Sequence, residues 1–261
     1  MYKYTIGFFG DSFCSDIKDS HSVRYQYETF IKKLEKHYNA KIVSLGMGGS
    51  SVWDTLLIQL DPFLKNTPPD ICIFVWTTHG RLFNRTVRDI NTNSSMTARS
   101  KLRYILKPKV LKIWEAAKWY FDYLQDWEKD KIEWEALLRY IDQVVLAKIP
   151  HTTKIVHLWT AGMPNEWTKK EINNSMYPLE FSRGAEIRPN LTALSIYDQD
   201  IDILGNDPRC NHLDGEIKNT MLFNWIQTAI DNPDQLWDYS ADIDKLNNFP
   251  IADIEKYNGK P

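Results

Sequence analysis

Two apolar runs flank an amphipathic segment in KIVSLGMGGSSVWDTLLIQLDPFLKNTPPDICIFVW, residues 41–76. The runs at 41–46 and 71–76 have the length of buried β-strands. Between them, apolar residues recur at every fourth position over 52–64, which is the spacing of a helix with one apolar face. Two parallel strands joined by a helix form a right-handed crossover. The stretch therefore predicts an α/β fold built on a parallel sheet.

The same alternation continues on both sides of this unit. The apolar run at 4–9 predicts a first strand, and the helical spacing over 22–38 predicts a helix after it. Further strands are expected at 154–160 and 191–198, and a last helix has its apolar face over 217–229. These segments together predict a central parallel sheet of about five strands covered by helices.

The middle and the end of the chain are less regular. Residues 84–100 are polar and predict a loop, whereas residues 102–148 have helical character and exceed what one crossover helix needs. We expect a helical insertion over about 84–148 after strand three, which either roofs the site or thickens the helical layer. The tail at 233–261 is polar and loop-like, and it is expected to pack on or extend from a domain at 1–232.

Composition narrows the functional classes. A chain of 261 residues suits one large domain. A formal net charge of -2 and a pI near 6.3 argue against a nucleic-acid partner, because binders of the phosphate backbone are usually basic. The three cysteines are odd in number and widely spaced, which is not the pattern of a disulfide framework or a zinc site.

The distribution of apolar residues bears on location. No segment approaches the roughly 18 consecutive apolar residues of a membrane span. The first residues, MYKYTIGFFGDSF, lack the charged start and long apolar stretch of a signal peptide. A cytoplasmic location is therefore expected, with export by another route or assembly into a larger particle left open. The oligomeric state is also open.

A serine and a histidine have the placement of a catalytic pair. The triplet Gly-Asp-Ser at residues 10–12 follows the first predicted strand, and active sites of open parallel sheets lie beyond such strand ends. Ser12 can act as a nucleophile if a base lies within hydrogen-bond distance. His212, before the last helix, is the candidate base, and Asp207 could orient it. Without these partners the triplet is a simple turn.

The glycine-rich run GMGGSS, residues 46–51, follows the second predicted strand. In a parallel sheet this loop lies beside the first one, and a glycine lets a backbone N–H approach a ligand closely. Such a donor could form part of an oxyanion hole. The alternatives are a tight turn and a phosphate-binding loop, although no P-loop lysine and no full G-x-G-x-x-G is present.

The blocks FFGDSFC and LGMGGSS, followed by a histidine before the final helix, resemble the SGNH (GDSL-type) hydrolase superfamily over residues 4–230. The resemblance implies a flavodoxin-like three-layer α/β/α fold. It also implies that Ser12 is the nucleophile, that His212 is the base, and that the backbone N–H groups of Ser12 and Gly49 bind the oxyanion. No metal and no organic cofactor is implied.

The chain departs from the family in its third block, where the family has Gly-x-Asn-Asp after strand three and this sequence has VWTTHGR. Thr77, Thr78 or His79 would have to donate the missing hydrogen bond, with help from Arg81. Asp11, His79 and Arg81 are also candidates for contacts with the substrate. Loss of one oxyanion donor typically costs about 10²–10³ in rate, so this loop decides how fast the enzyme is.

The second departure concerns the acid of the triad. The family usually has Asp three residues before the histidine, a position that Arg209 occupies here. Asp207 is the best substitute, because a triad is defined by geometry and not by spacing. Asp214 begins the last predicted helix, where capping is its expected role.

These features predict a serine esterase that cleaves small acyl esters, including O-acetyl groups on carbohydrate, through an acyl-Ser12 intermediate. Hydrolysis and acyl transfer to a sugar hydroxyl both fit, and the acyl group is open. The main alternative is a non-catalytic glycan-binding or structural module on a degenerate version of the same fold. Weaker alternatives are a flavodoxin-like nucleotide binder and a thiol nucleophile at Cys14.

Overall fold

A six-stranded parallel sheet lies at the centre of the computed structural model. Its order is β2-β1-β3-β6-β7-β8, with a separate antiparallel pair β4-β5. The strands are β1 Tyr4–Gly10, β2 Ala40–Ser44, β3 Ile71–Trp76, β4 Arg81–Leu82, β5 Ile90–Asn91, β6 Lys154–Trp159, β7 Ala185–Arg188 and β8 Leu236–Asp238. The structure describes residues 2–15, 28–87, 90, 91, 107–160, 179–188, 190, 191, 194, 213 and 216–242.

Helices cover both faces of this sheet. The described helices are α1 Phe30–His37, α2 with three consecutive segments (Val52–Asp54, the π-helical Thr55–Leu60, and Asp61–Leu64), α3 Pro108–Tyr123, α4 Trp127–Tyr140 and α5 Glu216–Asp231. α4 continues through a π-helical segment, Ile141–Val145, into a 3₁₀ turn, Leu146–Lys148. α1 and α5 pack on one face, and α2 and α4 pack on the other. The predicted three-layer α/β/α fold is thereby confirmed.

Alternating side chains explain the two layers. In β1, Ile6 and Phe8 are buried against the α1–α5 face, whereas Phe9 is buried against the α2–α4 face. All six residues of β3 are buried, as expected for a central strand covered on both sides. The four strands β1, β2, β3 and β6 lie where the apolar runs predict them.

The structure corrects the outer part of the sheet. The fifth strand is Ala185–Arg188, in a region expected to be a long excursion. Of the strand predicted over 191–198, only Leu191 and Leu194 belong to the described residues. Leu191 and Leu194 are helical, and the Leu194 N–H donates to the Asn190 carbonyl. A leucine pair three residues apart suits one helical turn as well as a strand, and the strand prediction is wrong at these two residues.

A sixth strand replaces part of the tail that was expected to be loop-like. Leu236–Asp238 pairs in parallel with β7 at the edge of the sheet. Leu236 and Asp238 are exposed, so the strand has none of the apolar periodicity that would predict it. Short, polar strands are common at sheet edges because they protect the unpaired backbone from association.

Two helices are described between β3 and β6, and they have different neighbours. The later part of α4 packs into the core of the sheet through Leu137 and Leu138. α3 packs instead through Ala117 on a small cluster with Val87 and Ile90, next to the β4–β5 pair. None of the described helices has both the length and the apolarity needed to cross a bilayer.

Candidate active site

Ser12 begins a 3₁₀ turn, Ser12–Cys14, directly after the carboxyl end of β1. The side chain of Asp11 caps this turn, because its Oδ1 accepts a hydrogen bond from the Phe13 N–H at 3.1 Å. The strand order β2-β1-β3 reverses direction between β1 and β3, and such a reversal opens a crevice beyond the strand ends. Ser12 is half-buried at this point, where ligands bind in open α/β sheets.

The glycine-rich loop after β2 packs directly on the Ser12 turn. The Gly46 N–H donates to the Cys14 carbonyl at 2.8 Å, and the Met47 N–H donates to the Gly10 carbonyl at 3.0 Å. A Cβ at Gly46 would lie 2.4 Å from the Cys14 Sγ and 2.6 Å from the Asp11 carbonyl oxygen. Only glycine permits this approach, so the spacing of the two loops depends on position 46.

The same loop then passes over Ser12 itself. A Cβ at Gly48 would lie 3.9 Å from the Ser12 Cβ, so no side chain separates the loop from the serine. Gly49 has a φ of 73°, a left-handed conformation that turns the chain toward α2. Ser51 and Asp54 then form a reciprocal capping box at the start of α2. The glycine-rich loop and the start of α2 therefore lie beside Ser12.

The Gln59 side chain links the Ser12 turn to the glycine-rich loop by hydrogen bonds. Its Oε1 accepts from the Gly10 N–H at 2.7 Å, and its Nε2 donates to the Gly10 carbonyl at 2.8 Å and to the Ser50 Oγ at 3.1 Å. Gln59 is buried in the π-helical segment of α2. Sequence reasoning missed this residue, although a glutamine on the apolar face of a helix was an available signal.

The Asp11 side chain connects the Ser12 turn to two further segments, one after β3 and one after β6. Its carboxylate is 1% exposed. Its Oδ2 accepts from the Thr160 Oγ1 at 3.1 Å and lies 3.3 Å from the Arg81 Nη1. The same Nη1 donates to the Ser50 carbonyl at 2.8 Å. The carboxylate of Asp11 thus faces protein donors, and sequence reasoning had no signal for Thr160.

The loop after β3 carries the remaining sequence candidates. Thr77 is buried, and its carbonyl accepts a hydrogen bond from the Trp134 Nε1 at 2.9 Å, whereas Thr78 is half-buried. The His79 ring lies between the indoles of Trp127 and Trp134, at centroid distances of 5.3 and 5.6 Å. Burial lowers the pKa of His79, so its imidazole is neutral near pH 7 and retains one N–H donor.

His212 and Asp207 lie outside the described residues, as do Arg209 and Asp214. Leu213, the residue after His212, is described and buried. It belongs to the same apolar cluster, on the α1–α5 face, as Phe13 and Cys14.

Cys14 has the environment of a structural thiol. It is fully buried, and its Sγ lies 3.6 Å from the Asp11 carbonyl oxygen. Burial raises the pKa of Cys14 well above its usual value, and the charge of Asp11 raises it further. A thiol that stays protonated is a poor nucleophile, which opposes a catalytic role for Cys14.

Among the described residues, no three His, Cys, Asp or Glu side chains are arranged to hold a metal ion. The fold and the site define a three-layer α/β protein with a serine at the first strand end, under a glycine-rich loop. No protein-family model matches the chain, and comparison with curated proteins and with solved structures finds no significant match.

Proposed function

We propose that this chain is a serine esterase that cleaves small acyl esters through an acyl-Ser12 intermediate. The observation that carries the proposal is the closeness of the glycine-rich loop to Ser12. A Cβ at Gly48 would lie 3.9 Å from the Ser12 Cβ, so the loop lies directly against the nucleophile. The nucleophile and the loop that would donate backbone N–H groups are then neighbours at the strand reversal, where an acyl carbonyl could meet both. The family resemblance of the same two blocks supports the same chemistry.

In this mechanism His212 accepts the Ser12 hydroxyl proton while Oγ attacks the ester carbonyl carbon. The tetrahedral oxyanion is held by the backbone N–H groups of Ser12 and Gly49. His212 then donates its proton to the departing alcohol as the C–O bond breaks, which leaves an acyl-Ser12. Water then attacks the acyl carbonyl carbon while His212 accepts a proton from it. His212 returns that proton to the Ser12 Oγ as the acyl bond breaks, and a carboxylic acid is released. Asp207 orients His212, and a sugar hydroxyl in place of water would make the reaction an acyl transfer.

The loop after β3 would supply the third donor that the family takes from asparagine. His79 suits this role because its neutral imidazole retains one N–H, and the Thr77 and Thr78 hydroxyls are neighbouring alternatives. The Trp134 indole fixes this loop through the Thr77 carbonyl. The exposed Trp127 beside His79 adds an aromatic surface, which suits an O-acetylated carbohydrate.

The test is intact-mass analysis after treatment with a fluorophosphonate probe. Wild type should gain one adduct, and both Ser12→Ala and His212→Ala should gain none over the same period. Ser15→Ala is the matched control, because Ser15 lies in the same region, its hydroxyl donates to the Ser12 carbonyl at 3.0 Å, and it has no role in the proposed chemistry. It should label like wild type. An unlabelled wild type, or a Ser12→Ala variant that labels normally, would overturn the proposal.

A second candidate function, glycan binding without turnover, is favoured by exposed rings on the α3–α4 pair. Trp119, Tyr123 and Trp127 are 65%, 70% and 53% exposed, and the first two rings lie 4.9 Å apart. Exposed aromatic patches commonly mark interaction sites. If this function is correct, Ser12→Ala keeps glycan affinity while Trp119→Ala loses it, and wild type releases no acid from acetylated glycans.

A further inference from the structure

We infer that Arg81 is a positioning residue, which holds the Ser12 turn and the glycine-rich loop in register without contacting substrate. The inference rests on the proposed function, since it concerns how the nucleophile and the oxyanion donors are aligned. It assigns Arg81 a role different from the substrate contact and oxyanion help expected from the sequence.

The geometry places one nitrogen between the two catalytic loops. The Arg81 Nη1 lies 2.8 Å from the Ser50 carbonyl oxygen and 3.3 Å from the Asp11 Oδ2. Asp11 directly precedes the nucleophile Ser12, and Ser50 directly follows the oxyanion candidate Gly49. A single guanidinium therefore sets the distance between the backbone that carries Oγ and the backbone that carries the N–H donor.

Burial makes this contact strong. The Asp11 side chain is 1% exposed and the Arg81 side chain is 16% exposed, so water screens the pair little. Phe13 and Thr160 contribute neutral donors to the same carboxylate. Within the described part of the chain, Arg81 is the one cationic group that pairs with Asp11, and its loss would leave a buried charge held by neutral donors.

Arg81 is held by the β4–β5 pair, which is separate from the central sheet. Arg81 pairs with Asn91, and Leu82 pairs with Ile90, in the short β4–β5 ladder. Ile90 is buried in the small cluster under α3. The segment between β3 and β6 thus carries a guanidinium to the site, in the region where the family's third block would supply an asparagine.

Loss of Arg81 should lower stability, because Asp11 keeps a buried charge, and it should also misalign the site in the protein that remains folded. Gln59 still joins Gly10 to the Ser50 Oγ, and the Gly46 N–H still binds the Cys14 carbonyl. The loops would stay packed, but the Ser50 carbonyl would lose the guanidinium and Asp11 its counter-charge. Small displacements of catalytic groups cost rate steeply, so the nucleophile should react more slowly in a folded protein.

The test compares Arg81→Met, Arg81→Lys and Arg81→Ala with wild type. The readouts are the second-order rate constant of fluorophosphonate labelling at Ser12, kcat and KM on an acetyl ester, and the melting temperature. We expect Arg81→Met to lower the labelling rate and kcat roughly 10–100-fold, with KM changed less than about twofold. Added guanidinium ion, below unfolding concentrations, should partly restore Arg81→Ala.

Arg81→Lys covers the case in which the other variants fail to fold. It keeps the charge beside Asp11, but an ammonium cannot reproduce the planar guanidinium, so labelling should still be slower than in wild type. Arg183→Met is the control for lost stability, because the Arg183 guanidinium binds the Leu146 and Ile149 carbonyls beside the opposite, amino end of β6. Arg183→Met should have a lower melting temperature than wild type. Below that temperature, its Ser12 should be labelled at the wild-type rate.

The outcomes separate this inference from the proposed function. An unlabelled wild type overturns the proposed function and the inference together. A labelled wild type with an equally fast Arg81→Lys or Arg81→Met overturns the inference alone. An effect confined to KM would also overturn it, because a substrate contact and not a positioning role would then be indicated.

Discussion

Trp76 and His157 are joined by a buried hydrogen bond between β3 and β6. The Trp76 Nε1 donates to the His157 Nδ1 at 3.0 Å, and the His157 Nε2 lies 2.9 Å from the Arg183 carbonyl oxygen. Because indole N–H can only donate, Nδ1 carries no proton and Nε2–H donates to Arg183. Phe181 stacks on the ring at 3.9 Å. The pair therefore requires a neutral imidazole.

Acid should destabilise the protein through this histidine. Burial lowers the pKa of His157 to about 4, below the usual value of 6.5, so the unfolded state binds the proton first as pH falls. The contribution of His157 is complete above pH 6.5 and declines toward pH 4, by about 3 kcal/mol in all. Urea unfolding at pH 7 and pH 4 should show a smaller pH dependence for His157→Gln than for wild type. Equal dependence in the two proteins would refute this assignment.

Substitution of Gly46 should be costly, whereas the same change at Gly48 should be tolerated. Alanine at 46 would force its Cβ against the Cys14 Sγ and the Asp11 carbonyl oxygen, and overpacking of this kind costs about 1–3 kcal/mol. The nearest atom to a Cβ at Gly48 is 3.9 Å away. Thermal unfolding should place Gly46→Ala well below wild type and Gly48→Ala close to it. The interpretation of Gly46 fails if the two variants melt together.

Gln59→Leu should lower stability by removing the partner of both polar groups of a buried glycine. The Gly10 N–H and carbonyl lose hydrogen bonds of 2.7 and 2.8 Å, and each unsatisfied buried group costs about 1–3 kcal/mol. Gln143→Leu is the matched control, because Gln143 is exposed in the other π-helical segment. It should change the free energy of unfolding by less than about 0.5 kcal/mol in chemical denaturation. If Gln59→Leu is as stable as Gln143→Leu, Gln59 does not stabilise the protein by linking the two loops.

Arg183→Met should destabilise the segment that leads into the amino-terminal end of β6. The Arg183 guanidinium donates to the carbonyls of four residues that end the helical segment after α4 and lead into β6, namely Leu146, Ile149, Pro150 and Thr153. Hydrogen bonds to charged groups contribute about 1.5–3 kcal/mol, so a loss of at least that size is expected in urea unfolding. Arg183→Lys should recover part of it, and full stability of Arg183→Met would show that water replaces the guanidinium.

The inner strands could be predicted because their burial leaves a local mark. β3 is apolar at every position and β1 nearly so, which only a strand covered on both faces requires. The last two strands, β7 and β8, could not be predicted on the same basis. Ala185–Arg188 includes a Glu186–Arg188 ion pair, and Leu236–Asp238 is largely exposed, so neither has an apolar signature.

By itself the sequence determined strands β1 to β3, and with them the placement of Ser12 and the glycine-rich loop beyond the ends of β1 and β2. Chain order and short connections are enough for that result, because parallel strands bring successive loops to one edge. Only the tertiary structure decided what supports the site. Gln59 and Thr160 meet the serine turn across 49 and 149 residues of chain, and Arg81 reaches Asp11 from a separate hairpin. Such contacts depend on packing between distant segments, which no local periodicity encodes.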